Sequence, residues 1–148
     1  MLNEDEVLKA FNNLNPQDIK QLHDINYRIQ RNTIPWGKQD GGEVDENGVM
    51  QWPYMVRNQV VDDFVRFMYD KGLVIDFDWS GWKKGREWYK STDENKYKNL
   101  DSLTILKLLT AVIRNDHFSE GAIVGAFEQG VFPRLIDVLI KQKSVQVS

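Results

Sequence analysis

At 148 residues, with 41% apolar residues, 11% aromatics and a net charge of −3, the chain carries enough apolar material for one core and too little charge to resist collapse. The absence of cysteine excludes disulfides, thiolate nucleophiles and cysteine-ligated zinc or iron–sulfur centres. An isoelectric point near 5.4 argues against a dedicated nucleic-acid module, which rests on a clearly basic face.

The opening Met1-Leu2-Asn3-Glu4-Asp5-Glu6 places acids where an export signal requires a basic start and an apolar run, so a cytoplasmic address is expected. The longest mostly apolar stretch, Leu103 to Ile113, is interrupted by Thr104, Lys107 and Thr110 and falls well short of the ~20 residues of a membrane span. No membrane association is expected.

Val7, Leu8, Phe11 and Leu14 recur at helical spacing. Asn15-Pro16 then supplies a cap residue and a proline at the first helical position, and Ile19, Leu22, Ile25 and Ile29 form the apolar stripe of a second helix reaching about Arg31. From Ile34 to Met55 the period breaks at Gly37, Gly41, Gly42 and Gly48. Asp45-Glu46-Asn47-Gly48 is a turn signal, because Asn-Gly tolerates positive φ, and Val49 and Gln51 alternate with Met50 and Trp52. A short two-stranded ribbon is predicted there.

Val60, Val61, Phe64, Val65 and Met68 mark a third helix stopped by Gly72, followed by an extended Leu73-Val74-Ile75. Trp79 to Tyr89 reads as a short helix with Trp82 and Trp88 partly buried, and Ser91 to Asn99 as a polar connection. Asp101 caps a strong helix with Leu103, Leu106, Leu109 and Ile113 toward the core. Ser119 caps another segment that Gly130 ends, and Leu135, Ile136, Leu139 and Ile140 build the last helix. The predicted architecture is mainly α: a compact bundle of about six helices with a short β-hairpin or irregular Trp/Gly-rich insertion in the middle third. Residues 1–148 form one domain with a polar tail from about residue 142.

Several groupings could carry chemistry. Asp76, Asp78, Ser80, Gly81 and Glu87 match the spacing of a calcium-binding loop, with oxygen ligands at positions one, three, five and twelve. Lys83, Lys84 and Arg86 nevertheless set positive charge beside the cation, and Gly72 with Leu73-Val74-Ile75 breaks the entering helix. A helix start capped by Asp78 or Ser80 is favoured, and no metal or cofactor is expected. His117 and Glu120, beside Arg114 and Asp116, could form an acid–base pocket. The competing reading gives Asp116 or Ser119 as a helix cap and is favoured, since His23 lies on a distant helix and no third ligand is at hand.

Five tryptophans, Trp36, Trp52, Trp79, Trp82 and Trp88, are many for this length. An exposed subset would offer large contact area at low entropy cost, whereas core packing would pin the irregular region to the helices. From Met1 to Asp63 there are eleven acids and six bases, whereas Lys83 to Lys98 holds six bases and three acids. That strip interleaves with Trp82, Trp88, Tyr89 and Tyr97, a pairing single-stranded nucleic acid would use, but the acidic remainder repels phosphate.

The run Leu108-Leu109-Thr110-Ala111-Val112-Ile113-Arg114-Asn115-Asp116-His117-Phe118-Ser119-Glu120-Gly121, ending in Gly130, resembles the signature of a family of small, mostly bacterial proteins designated a domain of unknown function. Trp52-Pro53-Tyr54 and Val74-Ile75-Asp76-Phe77-Asp78-Trp79 resemble its middle section, so the likeness covers roughly residues 34 to 140. The family often has arginine at the position of His117 and proline at that of Ser80. These departures weigh against a catalytic His117 and a calcium loop.

The sequence thus favours a non-catalytic binding domain whose contact surface combines a Trp-rich part (Trp36, Trp52, Trp79, Trp82) with the Arg114–Gly121 corner, where Arg114 and Glu120 are the binding residues. A small hydrolase-like enzyme using Glu120, Asp116, His117 and Arg114 is the alternative, and nucleic-acid binding through Lys83–Lys98 the third. The partner expected is a protein or a second copy of the chain, closed two-fold dimers being the commonest soluble assembly.

Overall fold

A computed structural model describes residues 2–90 and 96–147, with the backbone alone for 89, 90 and 144–147. Residues 91–95 of the expected polar connection lie outside the described residues. Two capping boxes start the chain: Asn3 with Glu6 opens α1 (Glu4–Asn12), and Asn15 with Asp18, followed by Pro16, opens α2 (Pro16–Gln30). The hairpin follows as β1 (Gly37–Asp40) and β2 (Tyr54–Arg57), antiparallel, with Gly37 opposite Arg57 and Asp40 opposite Tyr54.

Asn58 caps α3 (Gln59–Asp70) by accepting from the Val60 amide at 3.1 Å. Past Gly72 the Leu73 amide returns to the Met68 carbonyl at 2.8 Å, and Leu73, Val74 and Ile75 run extended and buried. Ile75 bridges Leu2 and donates its amide to the buried Thr110 hydroxyl at 3.2 Å. The remaining helices are α4 (Lys83–Lys90), α5 (Ser102–Asn115), α6 (Ala122–Glu128) and α7 (Val131–Val147). The mainly-α bundle with a small hairpin is as predicted, with seven helices among the described residues.

Three local readings are corrected. The helix expected from Trp79 begins at Lys83, because Asp78 caps the preceding turn, accepting from Ser80 Oγ at 3.0 Å and the Gly81 amide at 3.2 Å. Ser119 does not cap α6. The N-cap is Gly121 at φ +97°, a conformation that favours glycine, and the capping carboxylate is supplied by Asp116. The polar tail expected from about residue 142 is helical through Val147 and anchored. Gln142 accepts from Ser102 Oγ at 2.6 Å and donates to the Leu100 carbonyl.

The core joins α1, α2, α3, α5, α6 and α7. A chain of aromatic contacts crosses it, from Trp36 to Phe127 (4.9 Å between ring centroids), Phe127 to Phe132 (5.2 Å) and Phe132 to Phe64 (6.2 Å). Each fully buried ring contributes about 1.5–3 kcal/mol. This chain ties the approach to the hairpin to α6, α7 and α3 together.

Three polar residues are buried among the described residues, Ser102, Thr110 and the charged Lys143, which is 4% exposed. Its ammonium donates to the carbonyls of Phe11 (2.7 Å) and Asn12 (3.1 Å) at the C-terminal end of α1 and stands 4.9 Å from the Phe11 ring centroid. Burial pushes its pKa below 10.5. The unfolded chain therefore holds this proton more tightly than the folded one. The proton-linked part of the stability Lys143 contributes is fully present above 10.5 and is lost as pH falls through the lowered folded value, and the two hydrogen bonds add to it at either pH. Lys143→Met should destabilise the fold, at about 1 kcal/mol per hydrogen bond lost, and by more at pH 10 than at pH 7. Urea titrations of both proteins at the two pH values check this, and a difference that shrinks toward pH 10 would contradict it.

Candidate functional site

The hairpin is an arm whose base is held and whose outer face is bare. At the base, Gly37 lies so close to Val124 of α6 that a Cβ there would stand 2.8 Å from a Val124 methyl, and the Asn58 amide donates to the Trp36 carbonyl at 2.8 Å. Beyond Asp40 the ribbon bends at Gly41 and Gly42, both at positive φ. A side chain at Gly41 would also meet the Trp52 carbonyl at 2.6 Å. Val44 then bridges Met50, and Asp45 closes the tip by accepting from the amides of Asn47 and Val49, each at 2.9 Å.

The arm's inward side chains, Met55 and Arg57, are half-buried, whereas the alternate Met50, Trp52, Tyr54 and Val56 are exposed, Trp52 at 79%. Within β2 the period of two puts Tyr54 and Val56 on one face, and Met50 and Trp52, also exposed, lie in the segment before it. Val44, opposite Met50, is exposed as well.

The Arg114–Gly121 corner is the socket for this arm. One Asp116 oxygen accepts from the amides of Gly121 (3.2 Å) and Ile123 (3.1 Å), and the other lies 3.8 Å from Arg57, whose Nε contacts Asp62 at 2.8 Å. Glu120 accepts from the Met55 amide of β2. Both carboxylates of the expected acid–base pocket thus hold backbone and arm in place. His117 is exposed with its Nε2 3.5 Å from the Tyr69 hydroxyl, and Arg114 is half-buried in the last turn of α5.

On the other side of α6 a cleft of about 720 Å³ opens between that helix, α5 and the Trp79–Arg86 segment. Trp79 and Trp82 wall it, small residues line it (Gly85, Ala111, Ala122, Gly125, Ala126), and Asn115, Arg86 and Gln129 bring polar groups. Ala122, Gly125, Ala126 and Gln129 follow the three-and-four spacing of one helix face, and Val124, which meets Gly37, faces away from them. Trp82 also contacts Phe77 edge-on at 5.6 Å and sits under the Lys107 ammonium at 4.6 Å, so its wall is fixed. Trp79 lies 6.0 Å from the ring of Phe118, which is 78% exposed. The volume suits a small molecule or one or two bulky side chains.

The four tryptophans predicted as a surface are therefore dispersed. Trp79 and Trp82 share the cleft, Trp52 stands on the arm, and Trp36 is half-buried against Phe127. In the calcium-like loop, Asp78 is committed to its turn, and Asp76, Ser80 and Glu87 are exposed. Among the described residues no group of three or more His, Asp or Glu side chains is placed to hold a metal ion. In the basic strip Tyr97 is buried and Trp88 packs against the core, so neither ring stands open for a base. Sequence reasoning missed Arg57, Tyr54, Val56 and Gly125. The period-two run from Met50 to Val56 and the Ala122-Gly125-Ala126 spacing were the signals.

A model of a family of unknown function, DUF6508, matches residues 14–145. The chain belongs to the DUF6508 family. Arm, corner and cleft all fall within the DUF6508 span, as does all of the fold except α1 and the two ends. No curated protein and no solved structure matches the chain.

Two glycines facing the cleft make opposite demands. A Cβ on Gly85 would collide with the Trp82 ring, whereas one on Gly125 meets nothing within 4 Å. Gly85→Ala should destabilise by about 1–3 kcal/mol through overpacking. Gly125→Ala should be neutral or stabilise by about 0.5–1 kcal/mol through helix propensity. Thermal denaturation orders them, and the reverse order would refute the assigned packing of Trp82.

Proposed function

We propose that this chain is a non-catalytic protein-binding domain that meets its partner through the outward face of the hairpin arm. The observation that carries this reading is the run of exposed apolar side chains Met50, Trp52, Tyr54 and Val56 on an arm whose base is fixed by Asp116, Glu120 and Trp36. A contiguous exposed apolar patch rimmed by polar residues marks an interaction surface, and a tryptophan near its centre is the commonest kind of energetic anchor. Anchoring at the base lowers the entropy lost on binding, because the arm is positioned before the partner arrives.

The engaged corner supports binding over hydrolysis. Asp116 and Glu120 serve as acceptors for backbone amides, His117 faces the Tyr69 hydroxyl, and the polar residues lining the cleft are Ser80, Arg86, Asn115 and Gln129, none of them a carboxylate or an imidazole.

The test is site-specific photo-crosslinking in cells with p-benzoylphenylalanine replacing Trp52, and replacing Lys20 on the exposed side of α2 as the control. A discrete light-dependent adduct at position 52 and none at position 20 is expected. No adduct at 52, or the same adducts at both positions, would overturn the reading.

A further inference from the structure

The arm and the cleft complement each other. From Gly41 to Pro53 the arm carries Glu43, Asp45 and Glu46 and no basic residue. The cleft takes Gly85 and the exposed Arg86 from α4, and Lys83 and Lys84, also exposed, precede them in the first turn of that helix, which carries the single acid Glu87. One surface is thus an apolar ridge with acidic residues at its tip, and the other a largely apolar hollow with Arg86 on its wall and Lys83 and Lys84 on the same helix.

A chain is badly placed to fill its own cleft. The arm's base packs on the Val124 side of α6, and the cleft opens on the Ala122-Gly125-Ala126-Gln129 side. The bent ribbon would have to pass around the helix to reach it. A second copy meets no such obstacle, and a two-fold axis that seats one arm in the facing cleft seats the other arm equally, closing the assembly at two.

We infer that the cleft receives the arm of a second copy of this chain, with Trp52 lying between Trp79 and Trp82 and the acidic tip toward Arg86 and the first turn of α4. This rests on the arm being the protein-binding surface and adds what it binds. The small residues of the cleft are what leaves room for an indole. A whole aromatic side chain offers roughly 150–250 Å² for burial, of which Trp52 still exposes 79% and Tyr54 41%. Trp52 and Tyr54 with Val44, Val49 and Met50, counted for both arms, reach the order of 1,000 Å² that a specific interface requires.

The experiment is sedimentation velocity of the full chain from about 1 to 100 μM, with Trp52→Ala, Gly125→Leu and an equimolar mixture of the two. Gly125 is helical with open space at its Cβ, so leucine fills the hollow with the arm untouched. Gln129→Trp at the exposed lip is a second way to fill it, and circular dichroism checks that each variant is folded. The wild type is expected to sediment as a dimer of twice 17.3 kDa. Each variant alone should weaken association by about 30-fold or more, the scale of a central aromatic anchor. The mixture should regain association, since an intact arm and an intact cleft still meet once per pair.

A wild type monomeric at 100 μM, filled-cleft variants that dimerise as the wild type does, or a mixture no better than its components would each overturn the inference. The photo-crosslink at position 52 separates this failure from that of the broader reading. An adduct of another protein with a monomeric wild type would leave the arm as a binding surface and remove the second copy as its occupant.

Discussion

One carboxylate, that of Asp116, sets the geometry on which arm and cleft both depend. One of its oxygens accepts from the Gly121 and Ile123 amides and so fixes how α6 starts, and the other faces Arg57 of β2. Hydrogen bonds to a charged group contribute about 1.5–3 kcal/mol, whereas a half-exposed ion pair at this separation contributes about 1 kcal/mol or less. The capping interaction therefore supplies most of the stabilisation and the Arg57 contact mainly supplies direction. A seven-residue helix such as α6 would not hold itself and needs this cap together with the burial of Ile123, Val124, Ala126 and Phe127.

From that start, α6 presents two faces with different tasks. Val124 receives Gly37 and the arm's base, while Ala122, Gly125 and Ala126 leave the cleft open on the other side. An isolated two-stranded ribbon is marginally stable at best in water, so the arm's persistence depends on its base. Beside the Asp116–Arg57 contact and Gly37 on Val124, that base is held by Trp36 against Phe127, the Asn58 amide on the Trp36 carbonyl, and Glu120 on the Met55 amide.

What could be read from the sequence followed from strong local rules. Asn15-Pro16, Asp101 and the stripes Ile19 to Ile29 and Leu103 to Ile113 each encode a helix through residues close in sequence, and the structure has them as read. The turn at Asp45–Gly48 was legible for the same reason, but the paired strands lie at the arm's base because Gly37 seats against Val124, 87 positions away. The cap of α6 was half legible. Asp116 was among the candidates, but Gly121 at positive φ lets a carboxylate five residues back replace Ser119. The anchored end of α7 was missed because Lys143 looks solvated in sequence and is buried only by the α1 carbonyls 132 residues away. The cleft was silent, since alanines and glycines read as helix filler until the tryptophans opposite show what space they leave.

The account's central claim, that Asp116 organises both α6 and the arm, is tested most directly by amide hydrogen exchange on Asp116→Ala. Protection should fall together at Gly121, Ile123 and the β1–β2 pairing, with α1 and α2 unchanged. Loss confined to α6 with the hairpin pairing intact, or no loss at either place, would contradict it.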